Sequence, residues 1–275
     1  MTIAQWLKQA TNELADDMLT SPRLDAEIIL SHTIRHPKTY LHAHDDEEIS
    51  DRDVDIANAR LELRKDRVPV AYIIGHKEFY GRRFSVTPAT LIPRPESEQL
   101  ITMLNSLLPA SSALPGITDL RLVDIGTGSG CLGITAKLEH PELHVALLDS
   151  SRHALNVADK NARLLGADVE SFVSDLLGGY PYSPDIIVAN LPYVDRSWEQ
   201  SPELASEPEE ALYASDNGLS VIKRCIEQAA SRAKPDALLL LEADPRQLDA
   251  IESHAKRFGF TQVARSEFAI GLRLS

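Results

Sequence analysis

Cysteine is scarce: Cys131 and Cys225 are the only two in 275 residues. Two thiols cannot build a disulfide framework or a metal cluster, and they fit a reducing cytoplasm. Long apolar runs are missing as well. The longest, such as Ala237 to Leu241, fall far short of the roughly 20 residues that a membrane span requires, so no membrane partner is expected. The first residues, Met1-Thr2-Ile3-Ala4-Gln5-Trp6, hold no basic segment followed by an apolar one. No secretory signal is expected from them, and the expected location is cytoplasmic. Positive charge is also short, with 28 Lys and Arg against 41 Asp and Glu and a net charge of −13. That is the wrong sign for a protein whose affinity comes from gripping a phosphate backbone, so direct nucleic-acid binding is disfavoured. Arg82, Arg83 and Arg94 are the candidates for a local basic patch, and acidic runs such as Asp45-Asp46-Glu47-Glu48 read as solvated surface. What is present is 43% hydrophobic residues, enough for a substantial core in one large domain plus a small one.

The chain is organised around Leu122-Val123-Asp124-Ile125-Gly126-Thr127-Gly128-Ser129-Gly130, where an apolar run ends in an acid and breaks into alternating glycines. Glycine tolerates positive φ and lets the backbone approach a ligand that a Cβ would obstruct. A helix follows over 131–139, so strand, loop and helix N-terminus form the entry to a nucleotide-type site. His144 to Asp149 then reads as a second strand ending in an acid, about twenty residues past the glycines, where a ribose-binding carboxylate belongs. Cys131 lies where a thiol can acidify, although a small core residue is the plainer reading.

Taken in order, the chain opens with a helical module over 1–68. Ile3, Trp6, Leu7, Ala10, Leu14 and Met18 fall at helical spacing after a Thr2 cap, and Trp6 reads as core. Ser21-Pro22 caps a second helix with Leu24 and Ile28 on one face, and Ser50 with Asp53 opens a third with Val54, Ala57 and Leu61 on one side. Residues 69–95 form a hairpin and linker: Val68 to Gly75 leads through Glu78-Phe79-Tyr80-Gly81 to Phe84-Ser85-Val86, a hairpin with a glycine turn. The three prolines of Thr87 to Glu98 stiffen the connector around Arg94, for which ion pairing with Glu96 or Glu98 is an equal alternative to a functional role. A helix over 99–108 and a surface loop over Pro109 to Asp119 follow. From 96 to 275 strands at 120–125, 143–148, 169–174, 185–189, 236–242, 260–265 and 268–274 alternate with helices at 131–139, 151–165, 218–233 and 245–257. Such alternation predicts an α/β fold with a mostly parallel sheet covered on both faces. The last two strands predict an antiparallel edge hairpin.

Strand 185–189 delivers Asn190-Leu191-Pro192-Tyr193 at its carboxyl end, where open α/β sheets bind ligands. A dehydrogenase has no use for Asn-x-Pro-Tyr there, whereas an amino-group methyltransferase does. With Pro69-Val70-Ala71-Tyr72, Gly75, Glu78-Phe79, Thr90 to Glu98, Asp124 to Gly130, Asp149, Ser174-Asp175, Glu207-Pro208, Ala211-Leu212 and Gly218, nearly the whole chain resembles the release-factor glutamine methyltransferases (the PrmC/HemK family). The Arg94 block is the most specific part of the likeness. The resemblance implies a Rossmann-like S-adenosylmethionine methyltransferase sheet behind a small N-terminal helical bundle that recognises class I peptide chain release factors. It implies N5-methylation of the glutamine in the factor's Gly-Gly-Gln motif. Departures from the family pattern are Leu191 in place of proline, Ser206 in place of an aromatic residue, Leu176 where an aromatic often stands, and a shorter tail after Arg265 that lacks Gly-x-x-Arg.

The site residues follow from the resemblance. Asn190 Oδ1 and the Leu191 carbonyl would accept the two amide hydrogens of the target, which a backbone acceptor can do without proline, and Pro192 biases Leu191 towards extended backbone. Tyr193 would pack against the amide or the cationic methyl donor, with a core tyrosine as its alternative. Asn190 alone could equally satisfy a turn. Gly126, Thr127, Gly128, Ser129 and Gly130 would approach the methionine end of S-adenosyl-L-methionine, Asp149 the ribose hydroxyls, and Asp175 and Leu176 the adenine, with Arg94 on the substrate side. No metal or covalent nucleophile is required. The other readings are an adenine N6-methyltransferase on RNA or DNA, since Asn-Leu-Pro-Tyr also occurs in ribosomal-RNA adenine dimethylases, a cofactor-binding module without catalysis, and, distantly, a nicotinamide oxidoreductase.

Overall fold

A computed structural model describes residues 1–15, 19–108, 120–199 and 201–275. The expectations for Met18 and for a loop over Pro109 to Asp119 lie outside the described residues. The chain divides into two compact units, Met1–His76 with Ser201–Ser206, and Lys77–Gln200 with Glu207–Ser275.

The first unit is helical, with α1 (Ile3–Glu13), α2 (Pro22–Ile34), α3 (Lys38–Ala43), α4 (Asp51–Lys65) and α5 (Val70–Ile74). Thr2 opens α1 with a reciprocal cap: its hydroxyl accepts from Gln5 N at 3.3 Å while Gln5 Oε1 accepts from Thr2 N at 2.9 Å. Trp6 is core, and its indole N–H donates to Asn58 Oδ1 at 2.8 Å. Ser50 caps α4 through Asp53 N. Ser21 precedes Pro22 as expected but makes no side-chain cap bond. The buried face of α2 is also rotated from the expected one: Ala26, Ile29 and Leu30 are fully buried, whereas Leu24 is exposed. The 70–74 stretch, expected only as the lead-in to the hairpin, is a short helix pinned between Pro69 and left-handed Gly75.

The second unit begins within the first strand of a hairpin, β1 (His76–Phe79) and β2 (Arg82–Ser85). Tyr80 and Gly81 both have positive φ, +49° and +70°, as a two-residue turn of matching twist requires. After α6 (Glu98–Leu107) comes the alternating region: β3 (Arg121–Ile125), α7 (Cys131–Glu139), β4 (His144–Asp149), α8 (Arg152–Leu165), β5 (Glu170–Val173) and β6 (Ile186–Ala189). It continues with the short α9 (Glu209–Leu212), α10 (Ser220–Arg232), β7 (Leu238–Glu242), α11 (Leu248–Lys256), β8 (Phe260–Arg265) and β9 (Ala269–Leu274). The sheet order is β5-β4-β3-β6-β7-β9-β8, parallel except at β9 and β8. This is the mostly parallel Rossmann-like sheet that the alternation predicts, with the antiparallel hairpin at one edge. Boundaries shift for local reasons. Asp236 has φ +62° and Gly218 φ +80°, so neither the strand nor the helix assigned around them can begin there.

Strands β6 and β7 are buried at every position, as expected of parallel strands covered by helices on both faces. Two apolar cores flank the sheet, one under α10 and α11, the other under α6, α7 and α8. The order runs outwards from β3 to β4 on one side and from β6 to β7 on the other. The crevice at that reversal, beyond the carboxyl ends of β3 and β6, is where such sheets bind ligands.

Candidate active site

Beyond β3 the chain must turn away within a few residues. Asp124, 1% exposed, anchors the turn: its Oδ2 accepts from Thr127 Oγ1 at 2.6 Å and from Gly133 N at 2.8 Å. Burial raises its pKa to about 6 against the lowering effect of those two donors. Gly126, Gly128 and Gly130 carry φ of +68°, +54° and +81°. At Gly126 a Cβ would stand 3.2 Å from Leu191 Cδ2, so the missing side chain also admits the neighbouring loop. Asp149 ends β4, and its carboxylate ties the two loops together by accepting from Gly128 N at 2.9 Å and Ser151 N at 2.8 Å. Burial raises its pKa, opposed by these backbone donors.

These elements enclose a cavity of about 250 Å³. Its lining includes Gly126, Thr127, Gly128 and Ser129, Asp149, Asp175 and Leu176, and Asn190, Leu191 and Pro192. Thirteen sequence-singled positions therefore divide unequally: ten line one cavity, while Gly130, Tyr193 and Arg94 do not. Gly130 caps α7 behind the loop. The Tyr193 hydroxyl turns to Glu242 Oε1 at 3.3 Å, and burial with the neighbouring carboxylate raises its pKa. Arg94 forms an ion pair with Glu207, rather than with Glu96 or Glu98. Glu207 also accepts from Ile92 N at 3.0 Å, which fastens the Thr90–Pro93 stretch on the cavity wall. Arg82 pairs with Glu139 at 2.5 Å; two of the three arginines of the expected basic patch are thus committed to carboxylates. Cys131 is no activated thiol, for burial pushes it up to about 12.

At the end of β6, the Asn190 amide donates to Ser97 Oγ at 3.0 Å. Leu191 is buried against the glycine loop. The chain beyond is clamped twice. Val194 exchanges backbone bonds with Leu212 and Ala214 at 2.9 and 3.1 Å, and Gln247 Nε2 donates to the Tyr193 and Asn217 carbonyls at 2.9 and 2.8 Å. At Gly218 a Cβ would sit 1.9 Å from the Tyr193 carbonyl oxygen, so only glycine fits this crossing. Ser97, Gln247 and Glu242 were not singled out from the sequence. Ser97 carries no signal beyond its place in the Arg94 block, and the other two follow an apolar strand whose partners become visible only once the sheet register is known.

The lining suits S-adenosylmethionine by its chemistry. Leu132, Ala154, Leu176 and Val221 offer apolar wall to an adenine, and carboxylates at Asp149, Asp175 and Glu210 offer acceptors to hydroxyls and to a cationic ligand. At Gly128 a Cβ would meet nothing nearer than the Gly126 carbonyl oxygen at 4.0 Å, so the loop is open there to close backbone approach.

Comparison with known proteins defines the class first. Residues 103–207 match the methyltransferase small domain, and 5–75 match the PrmC N-terminal domain. Two solved structures share the fold: a methyltransferase from Pyrococcus furiosus (15% identity, TM-score 0.53, 77% of this chain and 97% of that chain) and a T. thermophilus 16S rRNA methyltransferase in complex with AdoMet and guanosine (16%, 0.51, 73% and 49%). The chain is 36% identical over 257 residues to the release factor glutamine methyltransferase of Koribacter versatilis, covering 89% of each. To the Escherichia coli K12 release factor glutamine methyltransferase it is 32% identical over 260 residues, 91% of this chain and 89% of that one. The chain belongs to the release factor glutamine methyltransferase family, and its cofactor is S-adenosylmethionine.

Proposed function

We propose that the cavity is where a release-factor glutamine is methylated on its side-chain nitrogen, with Asn190 and the Leu191 backbone as the acceptors that orient the amide. The observation that carries this reading is the shared cavity wall of Asn190, Leu191, Pro192, Asp149 and the glycine loop. Bound there, S-adenosylmethionine supplies a methyl group already activated on a sulfonium. A primary amide nitrogen is a weak nucleophile, since its lone pair is delocalised into the carbonyl. Two acceptors aimed at its two hydrogens fix its direction and stabilise positive charge as the carbon–nitrogen bond forms. The methylated amide returns to neutrality by losing one of its two protons to solvent. Asp149 would hold the ribose, the 126–130 backbone the methionine end, and Asp175 with Leu176 the adenine side. Arg94 acts at the rim through Glu207, which keeps Ile92 and its neighbours in place.

Class I release factors, presenting Gly-Gly-Gln, are the partners of this reading, with the N-terminal helices serving recognition. An adenine amino group could meet the same pair of acceptors, but a net charge of −13 and arginines committed to Glu207 and Glu139 favour a protein substrate. Asn190→Ala should lower transfer to a release factor by about a thousandfold while calorimetry finds S-adenosylmethionine affinity within a few fold of wild type. Turnover unchanged in that variant would remove Asn190 from the mechanism.

A further inference from the structure

Glu242 is a buried acid that the mechanism above does not use. It ends β7, is 1% exposed, and lies one residue beyond the register pair of Ala189 with Leu241, so it stands beside Asn190 on the neighbouring strand. Its Oε1 accepts from the Tyr193 hydroxyl at 3.3 Å, and its Oε2 has no hydrogen-bond partner among the described residues. The Ser97 hydroxyl and the Asn190 amide both face this carboxyl and favour its charged form, although neither closes a complete hydrogen bond on Oε2. Burying a carboxyl so short of partners is costly, and a residue serving only to fill the core would be apolar.

The hydrogen-bond directions give the acid a task. A carboxylate only accepts, a hydroxyl does both, and an amide group donates from one end and accepts at the other. With Ser97 Oγ accepting a hydrogen bond from Asn190 Nδ2 at 3.0 Å, the Ser97 hydroxyl is left to donate its own, and the acceptor it faces is Glu242. The chain of donors then runs one way, from Asn190 through Ser97 to the acid. A neutral partner would let the hydroxyl turn round and the Asn190 amide flip.

We propose that Glu242 is a positioning residue for methyl transfer: as an acceptor-only group it draws the Asn190 amide nitrogen, directly and through Ser97, and so turns Asn190 Oδ1 towards the amide being methylated. This rests on the role given to Asn190 above. It makes Ser97 the relay and Tyr193 a second donor that steadies the acid, which accounts for a tyrosine that does not line the cavity. The other charged and titratable groups facing Glu242 are Glu96, the Tyr193 phenol and the Cys131 thiol, with Arg94 acting on Tyr193. Burial lifts Glu242 to about 7, so its charged form is gained as pH rises through neutrality. Tyr193 and Cys131, both raised, are silent there. Asp124 titrates lower, near 6.

The test measures kcat, KM for a purified release factor and the Kd of S-adenosylmethionine in the full-length protein, across pH, for wild type, Glu242→Gln, Ser97→Ala, the double variant and Asn190→Ala. Glu242→Gln should lose about ten- to hundredfold in kcat, with cofactor Kd and release-factor KM little changed. The rise of wild-type kcat near pH 7 should vanish in that variant, while any limb near pH 6 stays. Ser97→Ala should lose kcat in the same way, and the double variant should be no worse than the slower single one. Ser97→Ala decides the matter by itself should Glu242→Gln fail to fold. Wild-type kcat and pH profile in both single variants, with Asn190→Ala inactive, would overturn the role of Glu242 and leave that of Asn190 standing. Loss of cofactor binding in step with kcat would also overturn it, as a merely structural effect. An active Asn190→Ala would remove both roles together.

Discussion

At the scale of single residues, the site concentrates acids where water is excluded. Asp124 and Glu242 have pKa values raised to about 6 and about 7 from ordinary values of 3.8 and 4.5, in both cases chiefly by burial. A raised carboxyl favours the fold below its ordinary pKa, and that advantage is lost as pH rises through the folded value. Glu242 should therefore cost wild type up to about 3 kcal/mol between pH 4.5 and 7. Denaturant melts should show Glu242→Gln gaining on wild type as pH rises from 5 to 8; equal pH dependence in the two would mean that the acid is not desolvated. The same residue thus predicts opposite trends, stability falling and kcat rising through neutral pH. Legibility at this scale was uneven. Gly126, Asp149 and Asn190 are legible through their motifs and spacing, although each type alone is common where a strand turns. Glu242 and Ser97 are not, since what makes them matter is the meeting of a strand end and a helix start distant in sequence. Tyr193 shows the reverse case: its motif is plain, but only the packing reveals that its hydroxyl turns inwards to Glu242.

At the scale of elements, the sheet is the part that the sequence specifies most fully, because alternation of buried strands with amphipathic helices leaves few other solutions. The β7 run of leucines, buried throughout, can sit only in an interior strand. Short elements were harder. Val70–Ile74 has strand-forming residues, but Pro69 and left-handed Gly75 set the ends of a single helical turn, and two end residues outweigh propensity over so short a span. Among the helices of the first unit, the join least visible in sequence is ionic. Arg64 on α4 donates to Asp25 on α2 at 2.7 Å and to Glu203 at 3.1 Å, with Arg64 and Asp25 both 7% exposed. Breaking a buried pair strands the remaining charge, whereas replacing both partners by apolar groups does not. Arg64→Ala should destabilise this unit by about 3 kcal/mol, read as faster amide exchange in α2 and α4. The pair Arg64→Met with Asp25→Leu should recover most of the loss. Equal exchange in Arg64→Ala and wild type would assign the ion pair no share in holding these helices.

At the scale of the whole molecule, the similarity to release factor glutamine methyltransferases runs through both units, with 5–75 and 103–207 matching separate domain families. Among the described residues no helix is long and apolar enough to cross a membrane. Two of the residues at which the sequence was expected to depart from its relatives, Leu191 and Leu176, both have a place at the cavity. Leu191 is buried against the glycine loop and lines the cavity, and Leu176 supplies apolar lining from a left-handed backbone position, φ +52°. The proposed activity comes down to one bond, between a methyl carbon and the side-chain nitrogen of glutamine. Peptide mass spectrometry of a full-length class I release factor, incubated with the protein and S-adenosylmethionine, tests it most directly. One added methyl is expected on the glutamine of Gly-Gly-Gln, and none when that glutamine is replaced by alanine. Methyl carried elsewhere on the factor, or no product despite demonstrated cofactor binding, would contradict it.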